Sequence, residues 1–260
     1  MKKRLYLNSC SFMDSDGIVK SPSLCSEIFE DTPISHIASL GGSSNELIFK
    51  KTLVDIINND FEFVIICWSH PERFYIIELS DELDYDKLKK DSDTNLQKLP
   101  YFYKNCIPGH GDTIRYDLLK FEPKGTDDTI LYTISLHNLL NNKNIPHLFL
   151  NMGKLDSNVL EARYNWIKHI NPNNYLSIND SDSILDKMKF SFIEYFVNLG
   201  GTQFLKDREI ALTNKNNNID NISKLLNTNP YLIDLGGHLS NKAFTIIYEI
   251  IHNHIKKHLI

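Results

Sequence analysis

Several features that would mark a specialised class of protein are missing from this sequence. The four cysteines include no Cys-x-x-Cys pair, so neither a zinc ribbon nor a thioredoxin-like redox site is expected. No apolar run approaches the length of a membrane span, and the basic residues 2–4 are not followed by the apolar stretch of a signal peptide. A formal net charge of -5 leaves no basic excess for neutralising phosphates. We therefore expect a cytoplasmic protein with reduced cysteines that binds neither nucleic acid nor membrane, and the oligomeric state stays open.

The composition that is present suits one globular domain. The chain has 260 residues, of which 42% are hydrophobic and 23% charged, so a sizeable apolar core can form. We find no internal repeat and no domain boundary, and residues 1–260 are predicted to form a single domain. Residues 80–125 are irregular, with Pro100, Pro108 and three glycines, and are predicted to be an insertion or a lid.

Short apolar runs alternate with helix signals along the chain. Strands are predicted at residues 4–8, 34–39, 63–67, 147–151 and 175–178. Helices are predicted at residues 21–29, from a capping box of Ser43 and Glu46, at about 127–142, and from about Ser240. The alternation predicts an α/β fold: a three-layer α/β/α, flavodoxin-like domain with a parallel sheet of about five strands.

Two of the predicted helices carry an apolar stripe that should face the core. On the helix that starts near residue 43 the stripe consists of Phe49, Leu53, Ile56 and Ile57. On the last helix it consists of Ala243, Ile247, Ile250, Ile251 and Ile255.

Polar or glycine-rich segments follow three of the predicted strands, where parallel sheets carry their working residues. Ser9-Cys10-Ser11-Phe12 follows the first strand, Gly41-Gly42 the second, and residues 67–73 the third. A fourth segment with Asp234 and His238 precedes the last helix. A serine needs a positioned base to act as a nucleophile, and glycines before a helix leave N–H groups open to an oxyanion. The pattern therefore predicts a serine nucleophile at Ser11.

These four segments, in this order, resemble the SGNH (GDSL-like) hydrolase superfamily. The closer similarity is to the SGNH-like proteins of phage and bacterial genomes, whose first block reads Gly-Cys-Ser-Phe. The resemblance implies that Ser11 is the nucleophile and an oxyanion donor, that Gly41 is a second donor, and that His238 is the general base. Ser69 stands where the family has an asparagine donor, so its hydroxyl is expected to donate instead. The family's acidic residue lies three positions before the histidine, whereas Asp234 lies four before His238. Either Asp234 orients the imidazole, or a serine–histidine dyad operates without it.

Further residues near these segments are candidates for substrate contact. Asn45, Trp68, His70 and Arg73 are assigned to this role, Trp68 with a core position as its alternative. Arg73 could hold a carboxylate or phosphate by paired hydrogen bonds, or form a surface ion pair of little energetic value. His110 and Asp112 in a glycine-rich stretch are too few to indicate a metal site. No metal and no organic cofactor is expected.

The predicted reaction is hydrolysis of an ester through an acyl-enzyme on Ser11, with an acetyl group on a sugar as one candidate substrate. Two alternatives stay open. The changes at Ser69 and Asp234 favour an SGNH-like binding or virion-associated protein with weak or no activity, since a fold does not guarantee its chemistry. A lid over the site would suit an acyltransferase that uses the same serine.

Overall fold

The computed structural model describes residues 4–9, 34–38, 43–71, 74–78, 102–106, 121–178, 181–196, 198–199 and 241–259. In chain order these ranges contain β1 (Leu5–Asn8), β2 (Ile34–Ile37), α1 (Asn45–Asn58), β3 (Phe63–Trp68), β4 (Phe74–Glu78), β5 (Phe102–Cys106), α2 (Phe121–Asn142), β6 (His147–Asn151), α3 (Ser157–Ala162), α4 (Tyr164–Ile167), a 3-10 turn (Pro172–Asn174), α5 (Ile184–Lys189) and α6 (Asn241–His258).

Four strands form a parallel sheet in the order β2-β1-β3-β6. Tyr175 extends this order beyond β6 through one parallel bridge to Phe149, where the sequence predicts a fifth strand at 175–178. That position holds a bridge rather than a strand. With Tyr175 in the fifth place, the order is the one found in flavodoxin-like sheets.

Side chains of β1, β3 and β6 point alternately to the two faces of the sheet, and on both faces they are buried. On one face, the Tyr6 hydroxyl donates to Asp55 of α1, and Trp68 lies against Tyr132 of α2. On the other face Leu5, Leu7, Ile65, Leu148 and Leu150 belong to the same buried cluster as Ala243, Ile247, Ile251 and Ile255 of α6. Strands buried on both faces read as continuous apolar runs, as β3 does. The domain is thus the predicted three-layer α/β/α sandwich.

Helix α1 starts differently from the prediction. Ser44, not Ser43, is its N-cap, with the Ser44 Oγ accepting from the Leu47 N–H at 3.3 Å. The capping box of Ser43 and Glu46 is therefore wrong, because the extended backbone falls on Ser44 and places Leu47 at the third helical position. Glu46 instead pairs with Lys50 one turn along, at 2.7 Å.

The buried stripe of α1 is also rotated from the predicted one. Ile56 is fully buried, but Ile57 is 59% exposed. The reason lies in β1, whose Tyr6 and Asn8 make hydrogen bonds to Thr52 and Asp55 and thereby turn that polar pair inward. The stripe predicted for α6 is confirmed at the four residues that lie in the core cluster, and Ile250 packs against that cluster as a partly buried neighbour.

Within the segment predicted as an insertion, residues 102–106 and 121–125 are described. The first is β5, which pairs antiparallel with β4, and the second is the beginning of α2. Helix α2 therefore starts at Phe121, before the predicted 127. The helix predicted at 21–29 lies outside the described residues.

In the described ranges, every helix is too short or too polar to cross a membrane.

Candidate functional site

The carboxyl ends of the parallel strands meet at one edge of the sheet. There, β1 ends at Asn8 and is followed by Ser9, while β3 runs into Ser69, His70 and Pro71. Beyond the last pair of β6, the Met152 N–H still donates to the Trp68 carbonyl at 2.9 Å. We call residues 69–71 the post-β3 loop. It occupies the edge where ligands of such sheets bind.

The post-β3 loop is tied to α1 through one side chain. The Asn45 Oδ1 accepts from the Ser69 N–H at 2.6 Å, and the Asn45 Nδ2 lies 3.4 Å from the Ser69 carbonyl oxygen. Asn45 is 4% exposed and Ser69 is fully buried. The buried side-chain amide of Asn45 thus contacts both the N–H and the carbonyl group of Ser69.

The orientation of the Asn45 amide follows from a second tie to α2. Its Nδ2 donates to Thr129 Oγ1 at 2.8 Å. The Thr129 hydroxyl in turn donates to the Gly125 carbonyl at 2.6 Å, so toward Asn45 it can only accept. The amide nitrogen must therefore face Thr129, which leaves its oxygen facing the Ser69 N–H.

Two glycines let neighbouring elements approach the same loop. A Cβ on Gly125 would lie 1.7 Å from the carbonyl oxygen of Pro71, so only glycine fits between α2 and the loop. A Cβ on Gly153, just after β6, would lie 2.8 Å from the His70 Nδ1 and 2.9 Å from the His70 Cα. The loop is consequently packed against α1, α2 and the end of β6.

Two buried polar atoms at this edge have no hydrogen-bond partner in the described part of the chain: the indole N–H of Trp68 and the hydroxyl of Ser69. Most buried polar groups in folded proteins are paired, so an orphaned one calls for an explanation. The Ser69 hydroxyl is a donor and an acceptor that no described residue uses, even though the Ser69 backbone is held by Asn45.

The described candidates for substrate contact occupy three different environments. Trp68 is fully buried and stacks on Phe149, with ring centroids 6.2 Å apart, so it lies in the core, the alternative reading of its sequence position. The Asn45 amide is bonded to Ser69 and Thr129. His70 is partly exposed beside Gly153.

The remaining predicted site residues, Ser11, Gly41, Arg73, Asp234 and His238, lie outside the described residues. Their assignment as nucleophile, oxyanion donor, substrate contact, orienting acid and base stays a prediction. His110 and Asp112 also lie outside the described ranges. Within those ranges, no cluster of three or more His, Cys, Asp or Glu side chains is placed to hold a metal.

Sequence reasoning missed three residues that hold the loop: Thr129, Gly125 and Gly153. Gly125 and Thr129 form a pair at i and i+4 near the start of α2, and the Thr129 hydroxyl bonds back along the helix. A glycine inside a helix costs stability relative to alanine, so it can mark a close approach. Gly153 was visible as the first glycine after β6.

A cleft of about 530 Å³ opens farther along the sheet, lined by residues that include Ile178, Phe190 and Tyr195. Its charged lining side chains already have partners. Lys189 pairs with Glu161 and Glu194 with Lys154, each at 2.8 Å, and the Ser181 hydroxyl donates to Asp186 at 2.9 Å. Two of the three charged lining residues are thus in ion pairs with residues outside the cleft, and the third, Asp186, accepts from a neutral hydroxyl.

A second buried polar cluster lies at the opposite, amino end of β6. The His147 Nδ1 is 2.9 Å from the Ile145 carbonyl and so carries the proton. The His147 Nε2 then accepts from the His137 Nδ1 at 2.9 Å, and the His137 Nε2 accepts from the Asn141 amide at 3.0 Å. Burial lowers the pKa of His137, and it lowers the pKa of His147 to about 4, with the nearby His137 adding to the effect. In this hydrogen-bond pattern each ring carries one proton.

The solved structures that match this chain include two from Bacteroides. One is described as a suspected acylhydrolase from Bacteroides fragilis, with a TM-score of 0.39 and 14% identity over 98% of this chain and 87% of that one. The other is a GDSL-like lipase from Bacteroides thetaiotaomicron, with a TM-score of 0.39 and 13% identity over 99% of this chain and 89% of that one. No protein-family model and no curated protein matches the sequence.

Proposed function

We propose that this protein is a serine esterase of the SGNH (GDSL-like) type, with Ser11 as nucleophile and His238 as general base. The ester carbonyl would sit at the carboxyl edge of the sheet, against the Ser11 and Gly41 N–H groups and the Ser69 hydroxyl. Asp234 would orient the imidazole of His238. An acetyl group on a carbohydrate is the substrate class that we put forward.

The observation that carries this proposal is the state of Ser69. Its hydroxyl is buried and unpartnered among the described residues, and it lies at the edge where the chain leaves β1 toward Ser11. An unpartnered hydrogen is one property of a preorganised oxyanion donor before substrate binds. It also stands at the sequence position where the resembled family places its side-chain donor.

The chemistry balances with these groups alone. The Ser11 Oγ attacks the ester carbonyl while its proton passes to His238, and the tetrahedral oxyanion is held by the three donors. Collapse breaks the bond to the alcohol, which leaves with the proton from His238. Water, deprotonated by His238, then hydrolyses the acyl-serine. His70 and Arg73 would face the alcohol portion of the substrate.

A second candidate function is a binding protein with weak or no activity. The observation that favours it is that the Ser69 N–H is already used by Asn45, so the post-β3 loop offers one rotatable hydroxyl where the family has a rigid amide. The acyltransferase alternative, which shares the acyl-serine, differs only in the acceptor.

A fluorophosphonate probe that labels activated serines tests the proposal. We expect the purified protein to be labelled, Ser11→Ala to lose the label, and Ser135→Ala, on the exposed side of α2, to keep it. Hydrolysis of p-nitrophenyl acetate should vanish in Ser11→Ala and fall about 100-fold in kcat in Ser69→Ala. An unlabelled wild-type protein would reject the esterase in favour of the binding protein, and a label that survives in Ser11→Ala would reject Ser11 as the nucleophile. Added sugar acceptors that become acetylated would indicate transfer instead.

A further inference from the structure

We propose that Asn45 is a positioning residue, which fixes the backbone of Ser69 so that its hydroxyl points at the reacting carbonyl. This inference rests on the proposed esterase function. Asn45 itself would touch neither substrate nor oxyanion, since its amide is directed to Ser69 and Thr129. Its predicted role in substrate contact is thereby replaced by a role that acts through a neighbour.

The first argument is geometric. A serine hydroxyl turns about one bond, so its direction depends on where the backbone holds the Cβ. Asn45 meets both the N–H and the carbonyl of Ser69, which fixes the peptide planes on either side of that Cβ. Gly153 and Gly125 bring β6 and α2 against the next two residues, so the loop has little room to shift.

The second argument concerns direction. An asparagine amide can usually flip, and a flipped Asn45 would set its N–H₂ against the Ser69 N–H. Thr129 prevents this, because its hydroxyl hydrogen is donated to Gly125 and only its lone pairs face Asn45. Thr129 is fully buried, so no water can replace either partner. Hydrogen bonds in such a setting are stronger than in water.

The third argument is that the arrangement leaves one polar atom over. The Ser69 N–H, the Asn45 amide and the Thr129 hydroxyl all have partners, whereas the Ser69 hydroxyl has none among the described residues. A purely structural network would gain by satisfying that hydroxyl as well, since a buried unpaired hydroxyl costs stability. The network thus holds an unsatisfied donor in place.

A double-mutant cycle tests this assignment. We measure kcat and KM for p-nitrophenyl acetate in the wild type, Asn45→Ala, Ser69→Ala and the double variant. Asn45→Ala should lower kcat about 10- to 100-fold with little change in KM, and it should cause no further loss once Ser69 is alanine. The matched control is Asn174→Ala: another buried asparagine, whose amide bonds to the His147 carbonyl at the opposite end of β6. It should leave kcat near the wild-type value.

Two outcomes would overturn the proposal. One is an equal fractional loss of kcat from Asn45→Ala with and without the Ser69 hydroxyl. The other is measured without an activity assay, by NMR hydrogen exchange. If Asn45 holds the loop, the Ser69 amide should exchange at least about ten times faster in Asn45→Ala than in the wild type, with no such change in Asn174→Ala. Unchanged exchange would refute the positioning role. If the wild type hydrolyses no ester while the exchange result holds, the esterase proposal alone fails.

Discussion

The buried pair of His137 and His147 makes the stability of this domain dependent on pH. In the folded state the His147 Nε2 must accept the hydrogen bond from the His137 Nδ1–H, because the His147 Nδ1 already donates to the Ile145 carbonyl. Protonating His147 would set two N–H groups against each other in a site where His147 is 1% exposed. The unfolded chain has no such restriction. Acid should therefore favour unfolding.

The size of the effect follows from the pKa of His147, which burial lowers from 6.5 to about 4. A difference of this size is worth about 3 kcal/mol, at roughly 1.4 kcal/mol for each pH unit. Because the folded pKa is the lower one, the unfolded state binds more protons between pH 7 and pH 4, and stability is lost as pH falls through this window. At pH 5 the loss from His147 alone should be about 2 kcal/mol, and above pH 7 it should be absent.

Urea unfolding at pH 7, 6 and 5, followed by the fluorescence of the buried Trp68, measures this loss. His254 has a similarly lowered pKa of about 4, due first to burial, and burial also lowers the pKa of His137, so the wild-type slope contains all three residues. His147→Gln isolates one of them: its stability should fall about 2 kcal/mol less than that of the wild type between pH 7 and pH 5. His169→Gln, at an exposed position, is the control and should follow the wild type. If the free energy of unfolding falls equally with pH in His147→Gln and in the wild type, the proposed role of His147 is refuted.

Two substitutions test the packing around the site, each by urea unfolding. Gly125→Ala should destabilise the domain by about 1–3 kcal/mol, because the new Cβ would meet the Pro71 carbonyl at 1.7 Å. Helix propensity alone predicts the opposite, a gain in stability of up to about 1 kcal/mol. A more stable Gly125→Ala protein would therefore contradict the close approach. Ser44→Ala should lower the free energy of unfolding by about 1 kcal/mol through loss of the α1 cap, while the control Ser135→Ala, on the exposed side of α2, should change it little. A Ser44→Ala protein as stable as the wild type would count against that cap.

Much of the fold could be predicted because its strands are short apolar runs buried on both faces. The run Phe63–Trp68 and the run His147–Asn151 both pair in the central sheet as expected. The face of α1 could not be predicted as well. Apolar spacing alone selects Ile57, whereas the actual rotation depends on hydrogen bonds from Tyr6 and Asn8 to polar residues of α1, which periodicity does not record.

Part of the candidate site could also be predicted from the sequence, and part could not. The position of Ser69 at the carboxyl end of β3 follows from the end of the apolar run that forms the strand. Its dependence on Asn45, and on Thr129 behind it, could not be read from the chain, because these residues are far apart in sequence and meet only when α1 and α2 pack on the sheet. Trp68 likewise offered two readings until its stacking on Phe149 placed it in the core.

The close approach of Gly125 to Pro71 also has a topological consequence. Pro71 and Gly125 are neighbours in space although 54 residues apart in sequence, so the ends of the stretch that contains the β4–β5 pair are adjacent. Closing a loop of this length costs about 2 kcal/mol more than closing one of five residues. The packing of α2 on the post-β3 loop holds Pro71 and Gly125 side by side, and we expect changes in the length of the chain between them to leave the strands in place.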